Sequence, residues 1–174
     1  MNDWPVAQPL DTTRLLLEPL NVAHAREMSY VLADTSLYRY IGGTPPTVQQ
    51  LTERYARQSL GHSPDGEQGW LNWIVRRLDN AAAIGFVQAT LHCSHESPRA
   101  EIAWVIGAQH HGKGYATEAS NRMVAWLQAQ EVNTLIAHIH PRNHASAAVA
   151  RKLGLSATET IVDGEVCWEA LLTR

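Results

Sequence analysis

The run Gln109-His110-His111-Gly112-Lys113-Gly114-Tyr115-Ala116 constrains this chain more than any other stretch, because it joins a strand pattern to a helix pattern through two glycines one residue apart. Gly112 and Gly114 remove Cβ atoms where backbone has to approach a guest closely. A turn of this kind aims several N–H groups at one anion, and the following helix adds the favourable end of its dipole. Phosphate is the guest such a turn selects, with Lys113 or the two histidines supplying charge without entering a core. It is not a nucleotide-triphosphatase loop, since Gly112-Lys113 is followed by Gly114 rather than by Ser or Thr, and it lacks the first glycine of a dinucleotide-binding turn.

Periodicity on either side predicts alternating strands and helices. Residues 14–19 read as a short strand stopped by Pro19, after which Asn21 caps a helix carrying Val22, Ala25, Met28 and Leu32 at helical spacing. Residues 41–46, rich in Gly and Pro, read as a loop, and Thr47 with Gln50 forms a capping box ahead of Leu51 and Tyr55. Residues 61–69, punctuated by Pro64 and Gly66, read as an exposed connection. The period then changes: 72–78 and 83–91 read as antiparallel strands joined at Asp79-Asn80, with Gly85 a candidate bulge. Residues 100–106 give a further strand with Ile102, Trp104 and Ile106 on one face and Glu101, Ala103 and Val105 on the other.

Beyond the glycine turn, Ala116, Ala119, Met123 and Leu127 draw an apolar stripe along a helix over 115–130, and 134–139 reads as a buried strand. Asn143 precedes an alanine-rich helix over 145–153 ended by Gly154, and Asp163-Gly164 joins strands over 158–162 and 165–172. The predicted class is α/β in the α+β sense: a mixed sheet with helices, in a single domain over residues 1–174 without internal repeats.

Composition excludes several alternatives. At 174 residues and 45% hydrophobic, the chain suits one well-buried domain and falls short of two. A formal charge of -3 with no long basic block argues against a dedicated nucleic-acid surface. Cys93 and Cys167 have neither metal-site spacing nor the density of a disulfide scaffold, which predicts a reducing cytoplasm. His110 and His111 are adjacent rather than i,i+4, and His92 with His95 lacks a third ligand, so no metal is expected. The start, Met1-Asn2-Asp3-Trp4-Pro5, has no basic segment leading into an apolar one, and no run approaches about 18 apolar residues, so neither export nor membrane spanning is expected. The six tryptophans, Trp4, Trp70, Trp73, Trp104, Trp126 and Trp168, read as core or half-buried packing residues.

The glycine turn has company. Gln109, Gly112 and Gly114 occupy the marked places of the pattern Gln or Arg, two residues, Gly, one residue, Gly or Ala. Ile139-His140-Pro141-Arg142-Asn143-His144-Ala145-Ser146 and Lys152-Leu153-Gly154-Leu155 follow in order. In this the chain resembles the GNAT acetyltransferases, whose pyrophosphate-binding signature that pattern is. Residues 13–20 and 100–106 look like the corresponding segments of the RimJ/RimL-like branch, and the resemblance spans roughly residues 12–172. It implies a mostly antiparallel central sheet flanked by helices, with a splayed strand pair that admits acetyl-CoA. Trp104, Val105 and Ile106 would lie along its pantetheine arm. Gln109, His110, His111, Gly112, Lys113, Gly114, Tyr115 and Ala116 would form the pyrophosphate turn, and Asn143 and Ser146 would meet the cofactor from the next helix start. Arg142, Lys113 and Arg151 are candidate phosphate partners, although surface solubility explains each equally well. Locally, Asn143 also reads as an ordinary helix cap.

Acetyl transfer to an amine needs a route for the amine proton, a donor for the developing oxyanion and a proton for the leaving sulfur. The resemblance assigns the oxyanion to a backbone N–H near Val105 or Ile106 and implies direct transfer in a ternary complex. Neither cysteine sits at an activated helix start. Many family members carry a tyrosine seven residues after the asparagine, where this chain has Ala150; RimL-like enzymes use a serine three residues after it, which is Ser146. Ser146 is therefore the leading thiolate donor, with plain helix packing as its other reading. Glu101, on the face of Ala103 and Val105, and Glu165, just past the hairpin turn where RimL-like enzymes carry a glutamate, compete for the amine proton; His138 and His140 are possible relays.

The function implied is acetyl-CoA-dependent N-acetylation of a primary amine, with CoA as product and no metal. A protein N-terminal amine competes with a small amine or antibiotic as acceptor, and a non-catalytic CoA-binding regulatory protein is the alternative class. The acceptor would meet the first two helices and residues 41–46, where Glu27, Asp34, Glu53, Asp65 and Glu67 favour a cationic molecule. Neither nucleic acid nor membrane is an expected partner, and a homodimer is the assembly the branch suggests.

Overall fold

A computed structural model describes residues 4–93 and 98–172; His95 and the first three residues, weighed above, lie outside the described residues. The alternating apolar runs build an eight-stranded sheet of β1 (Leu10–Asp11), β2 (Leu15–Pro19), β3 (Gln68–Arg77), β4 (Ala83–His92), β5 (Arg99–Ile106), β6 (Thr134–Ile139), β7 (Ser156–Val162) and β8 (Glu165–Leu171). Their spatial order is β1-β2-β3-β4-β5-β6-β8-β7, and every neighbouring pair is antiparallel except β5 with β6. The helices are α1 (Ala25–Val31), α2 (Val48–Gln58), α3 (Tyr115–Ala129) and α4 (His144–Lys152). This is the mixed, mostly antiparallel sheet with flanking helices that the resemblance implies. None of the described helices is long and apolar enough to cross a membrane.

Strand alternation sorts the side chains into two cores. On one face Leu15, Leu17, Trp73, Val87 and Leu135 pack with Ala119, Met123 and Leu127 of α3. On the other, Met28 of α1 and Leu51 and Tyr55 of α2 cover Ile74 and Ala83, with Phe86 and Val105 partly buried at the margin. That margin is where the candidate site opens. Trp73 and Trp168 are buried and the other four tryptophans half-buried; Trp126 meets Trp73 edge to face with centroids 5.5 Å apart.

Local chemistry explains most of the boundaries. Thr47 and Gln50 form the capping box of α2. Asp163 and Gly164 take φ of 50° and 82°, the left-handed values a two-residue hairpin requires. Three elements depart from the sequence expectation. Asn21 does cap the next segment, but its first turn is a tight 3-10 turn (Val22–His24), because the His24 Nδ1 accepts the Asn21 N–H at 3.0 Å and closes the box after three residues. β3 begins at Gln68, ahead of the expected 72, since the Trp4 ring lies against Gly69 and its Nε1–H donates to the Gly66 carbonyl at 3.0 Å, ordering the connection. In β4, Val75 pairs with Gly85 and Arg76 with Ala83, so the extra residue of the bulge is Ile84, beside Gly85. β1 and the 3-10 turn Thr35–Tyr38 had no counterpart in the sequence reading.

An ionic knot fastens α1 to the sheet. Arg76 of β3 reaches Glu18 of β2 at 2.9 Å and Glu27 of α1 at 2.8 Å, and His24 Nε2 lies 3.3 Å from Glu18. Burial alone would raise the Glu18 carboxyl, but the Arg76 hydrogen bond and the charges of His24 and Arg76 outweigh it and hold it below its ordinary 4.5. The Arg76 hydrogen bond lowers Glu27 likewise, against a smaller burial effect. Carboxylates depressed in the folded state contribute stability above their unfolded value, and that contribution disappears as pH falls through the folded values. Both are about two-fifths exposed, so solvent screening keeps the effect small. Arg76→Met should cost about 1 kcal/mol near pH 7 and less as pH drops below about 4.5. Urea midpoints at pH 7 and pH 3.5 check this: a difference from wild type that does not shrink with acid contradicts it.

Candidate functional site

The site follows from a failure of pairing. β5 and β6 run in parallel only through Arg99↔Thr134, Ala100↔Leu135 and Glu101↔Ile136. Beyond that point β5 stays paired with β4 as far as Ile106, and β6 stays with β8 as far as Ile139. The two strands therefore part, each held by its other neighbour. A cavity of about 230 Å³ occupies the opening, lined by Trp104 and Val105 of β5, His138 of β6, Asn143 and Ser146 at the start of α4, and Glu165 at the start of β8.

Of the carboxylates in competition, Glu165 lines this cavity. Glu101 does not: it sits at the last paired position, its side chain about half exposed, with Oε1 3.8 Å from His138 Nε2. Ser146 is positioned by Asn143, whose Oδ1 accepts the Ser146 N–H at 3.2 Å as the cap of α4, so Asn143 is a helix cap and a cavity wall together. Ile106 is buried at the end of β5, where its carbonyl accepts the His111 Nε2–H at 2.6 Å. His140 lines the cavity as well, its ring tilted against that of Tyr40 with centroids 5.2 Å apart.

The glycine turn leaves the same end of β5. Gly112 and Gly114 adopt φ of 73° and 81°, and Gly114 precedes α3, whose N-terminus has no side-chain cap. The first bond into the helix runs from Glu118 N–H to the Gly114 carbonyl at 3.0 Å. Among the described residues, the N–H groups of 112–117 have no backbone acceptor. The His110 and His111 N–H groups donate to the Gly107 and Ala108 carbonyls at 2.9 and 3.3 Å in a tight turn. A Cβ at Gly112 would meet nothing within 4 Å, so the turn faces open space. Uncapped amides, positive φ and open space together fit a phosphate-bearing group held by Gly112, Lys113, Gly114, Tyr115 and Ala116.

Charge around the turn is partly unforeseen. Arg14 stacks over Tyr115 at 4.5 Å and pairs with Glu118 at 2.7 Å, which places a guanidinium beside Gly114 that local sequence offers no reason to suspect. Lys113 Nζ reaches the Gln109 carbonyl at 3.4 Å. Burial, then the charges of Lys113, Arg77 and His111, hold the His110 ring below its ordinary value, and its Nδ1 is buried with no hydrogen-bond partner among the described residues. Arg151 stacks on Trp168 at 5.3 Å, and Arg142 is exposed. Cys167 is buried, with burial foremost in pushing its thiol up, the opposite of an activated nucleophile. No cluster of three or more potential metal ligands occurs among the described residues.

A splayed parallel pair beside a strand–glycine turn–helix defines a class of protein, and sequence comparison agrees. The family model for the acetyltransferase (GNAT) domain matches residues 14–156. The chain belongs to the GNAT acetyltransferase family. It is 24% identical over 160 residues to an uncharacterized N-acetyltransferase, p20, of Bacillus licheniformis, covering 91% of this chain and 88% of that protein. Among solved structures, RimL, a ribosomal L7/L12 alpha-N-protein acetyltransferase in complex with coenzyme A, superposes with a TM-score of 0.75 at 13% identity, covering 95% of this chain and 98% of the other. The microcin C7 self-immunity acetyltransferase MccE, in complex with acetyl-CoA and AMP, superposes with a TM-score of 0.74 at 14% identity, covering 92% and 94%.

Proposed function

We propose that the protein is a RimJ/RimL-like, acetyl-CoA-dependent N-acetyltransferase, residues 1–174 acting as one domain, that transfers acetyl directly to a primary amine in a ternary complex and releases CoA. The observation that carries this reading is the parting of β5 from β6 above Glu101, with Ser146 and Glu165 lining the cavity between them. Bound there, acetyl-CoA supplies its acetyl group as an activated thioester.

The chain's own groups divide the remaining work. Amides of residues 112–117 hold the pyrophosphate, Lys113 and Arg14 add positive charge beside it, and Trp104, Val105 and Ile106 lie along the pantetheine arm. The Ser146 hydroxyl, fixed at the first turn of α4, donates the proton needed by the leaving sulfur. Glu165 receives the amine proton, directly or through water; Glu101, outside the cavity against His138, is the secondary route.

The fold likeness to RimL suits a protein N-terminal amine as acceptor, and the likeness to MccE suits a small amine. One observation favours the small amine: Tyr40 and Ile41 wall the cavity along with the strands, and Phe86 and Gln88 are shared with a second cavity under α2. A cytoplasmic location and a homodimer go with this reading, and sedimentation at several concentrations tests the second. The function is tested by titrating acetyl-CoA, ATP and NAD against the protein and measuring CoA release across a diverse amine panel. Saturable acetyl-CoA binding with amine-dependent CoA release is expected. Tight binding without release from any amine would favour the non-catalytic CoA-binding alternative, and a preference for ATP or NAD would sink both.

A further inference from the structure

A second, smaller cavity of about 80 Å³ lies under α2, and Phe86 and Gln88 line both it and the cavity at the splay. Strand register explains the continuity. Asn72 pairs with Gln88 and Gln88 with Ala103, while Ile74 pairs with Phe86 and Phe86 with Val105. These six residues share the face beneath α1 and α2, so the row Asn72, Gln88 and Ala103 lies beside the apolar row Ile74, Phe86 and Val105 across three strands. The two cavities are the ends of one trough.

Its ends differ in charge. Glu165 is the acid at the splay end, and Arg54 is the cation at the α2 end, accompanied by the neutral Gln58 and Asn72. Arg14, Arg76 and Arg77 are each paired with a carboxylate, whereas Arg54, exposed like several other arginines, pairs with no carboxylate among the described residues. Burial raises the Tyr38 and Tyr55 hydroxyls, and the Arg54 charge opposes that rise. The carboxylates that favoured a cationic acceptor line neither cavity. Glu27 is bound to Arg76, Asp34 to the Ser36 N–H, Asp65 to Ser63 and the Glu67 N–H, and Glu53 to Gln49. The trough therefore has a place for a negative end and none for a second positive one.

Resting on the acetyl-transfer reading above, we propose that the acceptor is a small molecule bearing its reactive amine at one end and a carboxylate at the other, and that Arg54 receives the carboxylate. Size follows from the sheet. Two strand spacings separate β3 from β5, roughly 10 Å. An extended dipeptide spans about 7 Å, and the reach of the Arg54 side chain covers the remainder. Dipeptide acids and amino acids with the amine on a chain of comparable length fit, whereas glycine is too short. Phe86 and Ile74 supply the apolar flank against which the spacer lies.

The test compares matched pairs in CoA release with acetyl-CoA: dipeptide acids against their amides, a six-carbon ω-amino acid against the corresponding diamine, and long peptides with free N-termini. The acids should exceed their neutral or cationic partners by about tenfold or more in kcat/KM, as a charge-assisted contact predicts. Arg54→Ala should abolish that preference mainly through KM, Arg54→Lys should retain part of it, and acetyl-CoA affinity should stay unchanged in both. Equal rates for acids and amides, a preference that survives Arg54→Ala, or long peptides outcompeting dipeptide acids would each overturn the proposal. Should acetyl-CoA bind while no amine reacts, calorimetric titration of the CoA-loaded protein with the N-acetylated dipeptide acids decides the matter. Saturable, Arg54-dependent binding supports the proposal and its absence overturns it. Failure of acetyl-CoA itself to bind would bring down the acetyl-transfer reading and this proposal together.

Discussion

Gly85→Val should leave little folded protein at 37 °C. A Cβ at this position would stand 2.1 Å from the Val105 carbonyl oxygen and 2.9 Å from the Ile106 Cα, and both are backbone atoms that cannot rotate aside. Relief requires β4 and β5 to move apart where Gly85 pairs with Ile106, next to the Ile84 bulge and at the strand end from which the glycine turn departs. Valine adds two methyl groups to that clash. A cost of about 4 kcal/mol or more is expected, a large share of the roughly 5–15 kcal/mol that stabilises an ordinary domain. For a chain of this size that corresponds to a fall in melting temperature of about 10 °C or more. Thermal melts followed by circular dichroism measure it. A melting point within about 2 °C of wild type would mean that the close approach of β4 to β5 does not hold the strand in place.

The largest effect on turnover is expected from Ser146→Ala. Proton donation by a positioned group is worth about 100-fold or more in rate, so kcat for CoA release should fall by about that factor. Acetyl-CoA affinity should remain within about twofold, because the Asn143 cap bonds the Ser146 N–H, which alanine keeps. Alanine is also the better helix former, so stability should not fall. Unchanged turnover would reduce Ser146 to a packing residue of α4. Glu165→Gln and Glu101→Gln separate the two carboxylates. The larger fall in kcat/KM is expected for the variant at Glu165, which lines the cavity, and the smaller for the variant at Glu101, which lies outside it against His138.

Some features were legible in the chain because they depend on neighbours only a few residues away. The capping box at Thr47 and Gln50, the Asp163-Gly164 hairpin, the strand-to-helix turn through Gly112 and Gly114 and the Asn143 cap are all local backbone chemistry. Alternation likewise placed Glu101, Ala103 and Val105 on one face of β5. The same locality misled at Asn21, where the His24 ring closed the first turn early, and at 66–69, which Trp4 orders from far away in the chain.

Residue order by itself thus determined most of the sequence of elements and the two-glycine turn between β5 and α3, since both follow from backbone sterics and side-chain spacing. Only the tertiary structure decided where β5 leaves β6, because that depends on how far β4 and β8 hold their partners. It also decided that Arg14 stands beside the turn, that Glu165 rather than Glu101 lines the cavity, and that Arg54 lines a second cavity sharing Phe86 and Gln88 with the first. Each of these joins groups far apart in the chain, and their meeting is set by sheet register and packing, which local periodicity does not encode.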